Sequence, residues 1–218
     1  MKQTEGTETA NVSFDLGAAT MEYGQNAPHF NWGRKDPLPP STGLSNYTNK
    51  PIYGTYSSVN NMSTTDIAST IRMPYYFNTD YNSSLELWNV GNTVTTVNVN
   101  PVVKSVYDPS PAGYSLPPSG AAQGWDESGR SYWQGTRGKQ GRYVYNLGPA
   151  MGNPIFFPSL GRKESYSNFD YVGEDGYYWT ACPYNVERGY DIYCDYGKFS
   201  PTRSDPRYRG NSVRPVAE

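Results

Sequence analysis

Few residues of this 218-residue chain are of types that do chemistry on their own. There is one histidine, His29, and there are two cysteines, Cys182 and Cys194. A lone imidazole argues against a histidine-based metal site or acid–base centre. A disulfide could close the segment between the thiols, but spacing does not give its geometry, and two unpaired thiols are the simpler expectation. No HExxH, paired CxxC, GxSxG or phosphate-loop pattern occurs. No paired-carboxylate motif stands out, and Arg188 is the one basic residue placed to lower a thiol pKa.

The chemistry that remains is recognition. Gly176–Val216 reads GYYWTACPYNVERGYDIYCDYGKFSPTRSDPRYRGNSVRPV, dense in Tyr, Arg, Asp and Gly and poor in aliphatic residues. Tyrosine offers a wide amphipathic ring with only two torsions to freeze, and arginine joins it at binding hot spots. Tyr184, Asn185, Arg188, Tyr190, Asp195, Tyr196, Arg203, Asp205, Arg207 and Tyr208 are therefore the expected ligand-binding residues. Charges at that density resist entry into a core because desolvation is costly. Tyr177, Tyr178, Trp179, Ile192 and Val213 are expected to be core residues instead, since one strand face must be buried.

These side chains need a frame. Strand signals fall at Val12–Ala18, Gly141–Leu147, Pro154–Gly161, Asp175–Ala181, Tyr190–Asp195 and Asn211–Val216. Asp66–Phe77 suits a short helix or a strand, and its β-branched and aromatic content favours strand. Thr93–Asn100 alternates with period two, and Ser119 could cap a short helix. His29–Gly43 reads as an ordered loop pinned by Trp32, and Ser84–Gly91 as a turn placing Trp88. The segments PYNVERG and YGKFSPTRSDPRYRG read as display loops, the second stiffened by Pro201 and Pro206.

The composition agrees with short strands and many turns. Gly and Pro are frequent (22 and 18), tyrosines number 21, and only 36% of residues are hydrophobic. The aromatic content is too high for a disordered chain. A net charge of −2 with no long basic run argues against generic nucleic-acid binding. No apolar run is long enough to span a membrane. Residues 1–10 are expected to fray, and no linker divides the chain, so residues 1–218 are expected to form a single domain. The first residues lack an apolar signal-peptide core.

FNWGRKDPLPP, KSVYDPSPAGYSLPPSG, IFFPSLGRK, GYYWTA and NSVRPV occur in that order from Phe30 to Val216. Together they resemble the C-terminal domains of fimbrillin-like and major-paralogous surface proteins of gut anaerobes. The resemblance implies an α+β, C-type-lectin-like fold of the kind shared with formylglycine-generating enzymes. That fold would be β-rich with long loops and few short helices, with a strand near Val12–Ala18 close to Asn211–Val216. The tail at 176–216 also resembles variable regions diversified by retroelements, as in phage receptor-binding proteins and bacterial adhesins. Tyr, Asn, Asp, Ser, Arg, Cys and Ile are all reachable from an AAC codon altered at its adenines, whereas Glu187 and Lys198 are not.

The resemblance implies a non-enzymatic ligand-binding or adhesion domain with no cofactor. Its partner would be a protein or glycan receptor on another cell or particle, with no membrane insertion and with the oligomeric state open. The setting would be the cell surface, in a pilus or adhesin, or a phage particle, with leader or upstream domains outside this chain. Two alternatives stand beside it. One is a structural pilus (tip) subunit. The other is a formylglycine-generating-type oxidase using Cys182 and Cys194 with copper. A calcium-dependent sugar site would need an EPN or QPD loop with a WND strand; the chain has only WNV at Trp88–Val90.

Overall fold

The computed structural model describes residues 3–5, 8–10, 28–38, 61–73, 76–81, 84–91, 95–125, 131–136, 139–145, 154–164 and 169–218. In chain order the first elements are β1 (Gln3–Glu5), β2 (Glu8–Ala10), β3 (Phe30–Asn31), β4 (Asn61–Met62), α1 (Ile67–Arg72), β5 (Phe77–Asn78) and β6 (Tyr114–Ser115). Next come β7 (Tyr132–Thr136), β8 (Lys139–Val144), β9 (Ile155–Pro158), β10 (Arg162–Lys163) and β11 (Phe169–Asp170). The C-terminal elements are β12 (Gly176–Pro183), β13 (Arg188–Cys194), β14 (Phe199–Pro206), β15 (Gly210–Val213) and β16 (Val216–Ala217).

The main sheet has seven strands in the order β11-β10-β15-β12-β13-β14, with β3 also pairing with β15. Only β12 and β15 run parallel within it. β7, β8 and β9 form a separate antiparallel sheet. β1–β2 and β6–β16 are antiparallel pairs, and β4–β5 is a parallel one.

All eight residues of β12 are buried, because each of its faces packs on a different cluster. Tyr178, with Ile192 and Cys194 of β13, lies against Val144, Phe157, Leu160 and Ala122. Trp179 and Ala181 lie against Phe30, Trp32, Leu87, Trp88 and Leu116. A strand covered on both faces is apolar throughout instead of alternating, which is why GYYWTACP has no polar face. Each buried indole has its N–H satisfied. Trp32 donates to Thr180 O (3.1 Å), Trp88 to Arg34 O (3.2 Å) and Trp179 to Phe30 O (2.8 Å). These bonds remove the penalty of burying a polar atom, so each ring contributes its full apolar area. Gly189 lies directly beneath Trp32: a Cβ there would come within 2.5 Å of the indole.

Several sequence expectations are corrected. The α+β, C-type-lectin-like assignment does not hold. Among the described residues 41% are in strands and 4% in helix, the latter being one six-residue helix, and the sheets are mixed. The frequent Gly and Pro residues interrupt helical runs while permitting tight turns between short strands. The one helix forms within Asp66–Phe77, where strand was favoured. Asp66 accepts the amides of Ala68 (3.1 Å) and Ser69 (3.0 Å), so a cap outweighs the β-branched preference. Ser119 caps no helix: residues 120–125 make successive turns, and its hydroxyl instead accepts the Asn98 amide (3.1 Å).

Thr95–Asn100 belong to no strand despite their alternation. Residues 3–5 and 8–10, expected to fray, pair as β1 and β2. The expected strand Asn211–Val216 is split by Arg214-Pro215 into the end of β15 and the start of β16. The largest change is the second display loop, most of which is β14, paired with β13 from Arg188↔Pro206 to Cys194↔Phe199. Tyr177, Tyr178, Trp179 and Ile192 are buried, and Val213 packs at the edge of the core. Val12–Ala18 lies outside the described residues. No helix among the described residues is long and apolar enough to cross a membrane.

Candidate functional site

The β12–β13–β14 ribbon ends in two tight turns, and each carries an exposed tyrosine beside a side chain that fastens the backbone. In the β12–β13 turn, Asn185 Oδ1 accepts the amides of Glu187 (2.9 Å) and Arg188 (2.8 Å). Tyr184 is 43% exposed and meets the ring of Tyr190 edge-on at 5.2 Å. Arg188 turns back along the sheet, donating to Ser204 Oγ (3.1 Å) and Ser204 O (2.6 Å). In the β13–β14 turn, Asp195 Oδ1 accepts the amides of Gly197 (2.6 Å) and Lys198 (2.8 Å), while Oδ2 accepts the Tyr193 hydroxyl (2.6 Å). Burial alone would raise the Asp195 pKa, but the Tyr193 hydroxyl, the two amides and the Lys198 charge hold it below the usual range. Tyr196 follows and is 79% exposed. Local hydrogen bonding by Asn and Asp is the usual device for fixing such turns.

Between the turns, β13 and β14 carry a ladder of guanidinium groups, carboxylates and phenol rings. Arg203 donates to Asp191 Oδ2 from Nε (3.2 Å) and Nη2 (2.5 Å) and pairs with Asp205 at 3.2 Å. Asp205 also accepts from Arg162 (3.3 Å), Arg209 (2.6 Å) and Asn211 (3.3 Å). Glu164 bridges Arg162 and Arg209. The Tyr177 ring has Arg162 at 4.6 Å and Arg203 at 4.8 Å, and Arg203 also covers Tyr193 at 4.6 Å. Burial drives the Asp191 pKa upward; Arg203 opposes the rise and Asp205 adds to it. Burial, reinforced by a bond to Asp175 and to Asp195 respectively, also pushes the Tyr177 and Tyr193 hydroxyls far up.

The ten expected residues therefore divide. Tyr184, Asn185 and Tyr196 are exposed, and Arg188, Asp195, Arg203 and Tyr208 are half-buried. Tyr190, Asp205 and Arg207 are buried, which removes them from direct contact with a ligand. Tyr190 packs beneath Tyr184, its hydroxyl donating to Thr95 O (3.2 Å). Arg207 stacks over Trp32 at 4.1 Å and donates to Ser84 O (3.0 Å), and burial lowers its pKa to about 10. The desolvation argument failed at Asp205 and Arg207 because neither charge is buried alone: one is neutralised by arginines, the other lies on an indole. Nor do the exposed residues form one patch. Tyr184 and Tyr196 stand at opposite ends of the seven-residue β13, roughly 23 Å apart at about 3.3 Å per residue.

Sequence reasoning missed Trp133 and Arg142, which the β7–β8 hairpin brings to the second turn. The Trp133 ring meets Tyr196 edge-on at 6.5 Å, and Arg142 Nη1 donates to Tyr196 O (3.2 Å) and Asp195 O (3.4 Å). No local signal announces this contact across more than fifty residues.

Both cysteines are buried and free. Cys194 lies opposite Gly176 at one end of the β12–β13 ladder, and Cys182 is six residues further along β12, roughly 20 Å away at about 3.3 Å per residue. That is far beyond disulfide reach, so the two thiols cannot act as a pair. Burial pushes the Cys194 thiol up to about 12. Among the described residues no group of three or more His, Cys, Asp or Glu is arranged to hold a metal ion. No family model matches the chain, and neither a curated protein nor a solved structure matches it.

Proposed function

We propose that this chain is a non-enzymatic recognition module that binds a protein or glycan receptor on another cell or particle, as part of a surface adhesin or a phage particle. The observation that carries the reading is the pair of exposed tyrosines, Tyr184 and Tyr196, on backbone-fastened turns of a ribbon whose first strand, β12, is buried on both faces. A ring already held in place loses little freedom when a partner covers it, so its contact area is converted efficiently into affinity. The likeness of residues 176–216 to retroelement-diversified regions supports the same reading. Changes at Tyr184, Asn185 and Tyr196 would leave the core intact, whereas changes at Asp205 or Arg207 would not.

The test is binding of the labelled chain to a panel of intact bacterial cells, scored by flow cytometry. Tyr184→Ala and Tyr196→Ala should keep the wild-type melting curve. At least one of them should weaken binding by about 2 kcal/mol, the cost of a hot-spot truncation. Equal binding by both variants refutes the proposal. An adenine-rich near-copy of the 3′ coding end beside a reverse transcriptase gene tests the diversification separately.

A further inference from the structure

The corner made by Tyr196 and Trp133 has properties that a general recognition surface does not require. We propose that it is a carbohydrate subsite that takes one neutral pyranose, stacked on Tyr196 and hydrogen-bonded by the Trp133 indole N–H, the Tyr196 hydroxyl and the Lys198 ammonium. The proposal rests on the recognition reading above and names the ligand class for the second turn.

Three features support it. The two rings stand at 69° with centroids 6.5 Å apart, so the Trp133 ring borders Tyr196 as a wall beside a floor. Tyr196 is 79% exposed, which leaves ring surface for the apolar C–H face of a sugar. The surrounding polar groups then divide into committed and uncommitted ones. Asp195 has both oxygens engaged by its own turn and by Tyr193, and Arg142 holds the turn's carbonyls. By contrast, among the described residues Trp133 Nε1, the Tyr196 hydroxyl and Lys198 Nζ find no hydrogen-bond partner, although Lys198 lies over the Tyr193 ring at 5.4 Å. Glycine at 135 keeps the indole edge open, since a Cβ there would sit 3.1 Å from Trp133 Nε1.

An aromatic floor, an aromatic wall and three uncommitted donors match a ring that presents an apolar face and a rim of hydroxyl acceptors together. Among the described residues the guanidinium nearest the turn is that of Arg142, whose contacts to it go to backbone carbonyls, so a carboxylated or phosphorylated ligand meets no bidentate partner from it. The site is also rigid before binding, as its turn is closed by Asp195 and clamped by Arg142.

The test uses the intact chain with ¹⁵N-labelled indoles, titrated separately with cellotetraose, N-acetyllactosamine and mannotriose. The expected result is a saturable shift of the Trp133 indole resonance, assigned with Trp133→Phe, for at least one sugar. The deeply buried Trp32, Trp88 and Trp179 should not move. Tyr196→Ala should weaken that sugar at least tenfold, and Lys198→Met severalfold, at an unchanged melting temperature. Absence of a saturable Trp133 shift with all three sugars, or equal affinity in Tyr196→Ala, overturns the carbohydrate assignment. If cells still bind in a Tyr196-dependent manner in that case, the recognition reading stands with a protein receptor. If cell binding ignores Tyr184 and Tyr196 as well, both readings fall.

Discussion

Asp191 is a buried carboxylate under strong electrostatic tension. It is fully buried on β13, and its Oδ1 has no hydrogen-bond partner, while Oδ2 takes both bonds from Arg203. Arg203 and Asp205 of β14 and Arg162 of β10 set its field. Its pKa in the fold lies above the ordinary 3.8, so the native state holds the proton more tightly than the unfolded chain. Its contribution to stability is thus fully present below the unfolded pKa and is lost as pH climbs through the raised one. Asp195 has the opposite sign: its depressed pKa gives stability at higher pH that is lost as pH falls. Urea unfolding across pH 2–8 separates them, Asp195 acting below its ordinary 3.8 and Asp191 above it. Asp191→Asn should flatten a decline toward high pH, and Asp195→Asn, which keeps the turn's acceptor oxygen, should soften the loss toward low pH. If Asp191→Asn leaves the pH profile unchanged, the raised pKa is wrong. The thiols give a second expectation at this scale. Because Cys182 and Cys194 are buried and Cys194 is held protonated, neither should react with a thiol reagent at pH 8 until denaturant is added.

At the scale of elements, β14 is an edge strand protected against further pairing. The Arg207 amide points inward to Glu187 O, and Lys198 O points inward to the Asp195 amide. Alternation from Arg207 turns position 206 outward, where there is a proline, and a second proline, Pro201, lies at the irregularity where the β13–β14 register shifts. An incoming strand therefore meets a register irregularity and two prolines without an N–H, Pro206 at an outward position, which works against strand exchange at this edge. Replacing both with threonine restores the two donors, and sedimentation velocity should show more self-association than in the wild type. Within the same ribbon, Gly189 is required by packing. Gly189→Ala drives a methyl into the buried Trp32, and overpacking of this kind costs about 1–3 kcal/mol, readable as a lower urea midpoint.

The whole molecule decides how binding is shared. With Tyr184 and Tyr196 at opposite ends of β13, a monosaccharide-sized ligand touches one turn, and only an extended receptor touches both. The two alanine substitutions should therefore be additive in binding free energy within about 0.5 kcal/mol on a large receptor, as expected for sites with no shared partner. For a small sugar at the second turn, Tyr184→Ala should have no effect. Strong coupling between the two positions would mean that the ribbon bends on binding.

The sequence by itself determined a buried strand and its aromatic anchors. A strand with a buried face was legible over Asp175–Ala181, as were Trp32 and Trp88 as anchors and Trp179 as core; that both faces of β12 are covered was decided by the two clusters that pack on it. The sequence also showed that the tail is rich in recognition-type side chains, and Tyr184, Asn185 and Tyr196 are indeed at the surface. Only the tertiary structure decided which of the tail's charges face water. Asp205 and Arg207 lie inside because Arg162, Arg209 and Trp32, brought from β10, from beyond β14 and from beside β3, compensate them there. The same holds for Trp133 beside Tyr196: both are legible as aromatic residues, but their meeting depends on long-range packing, which no local spacing encodes.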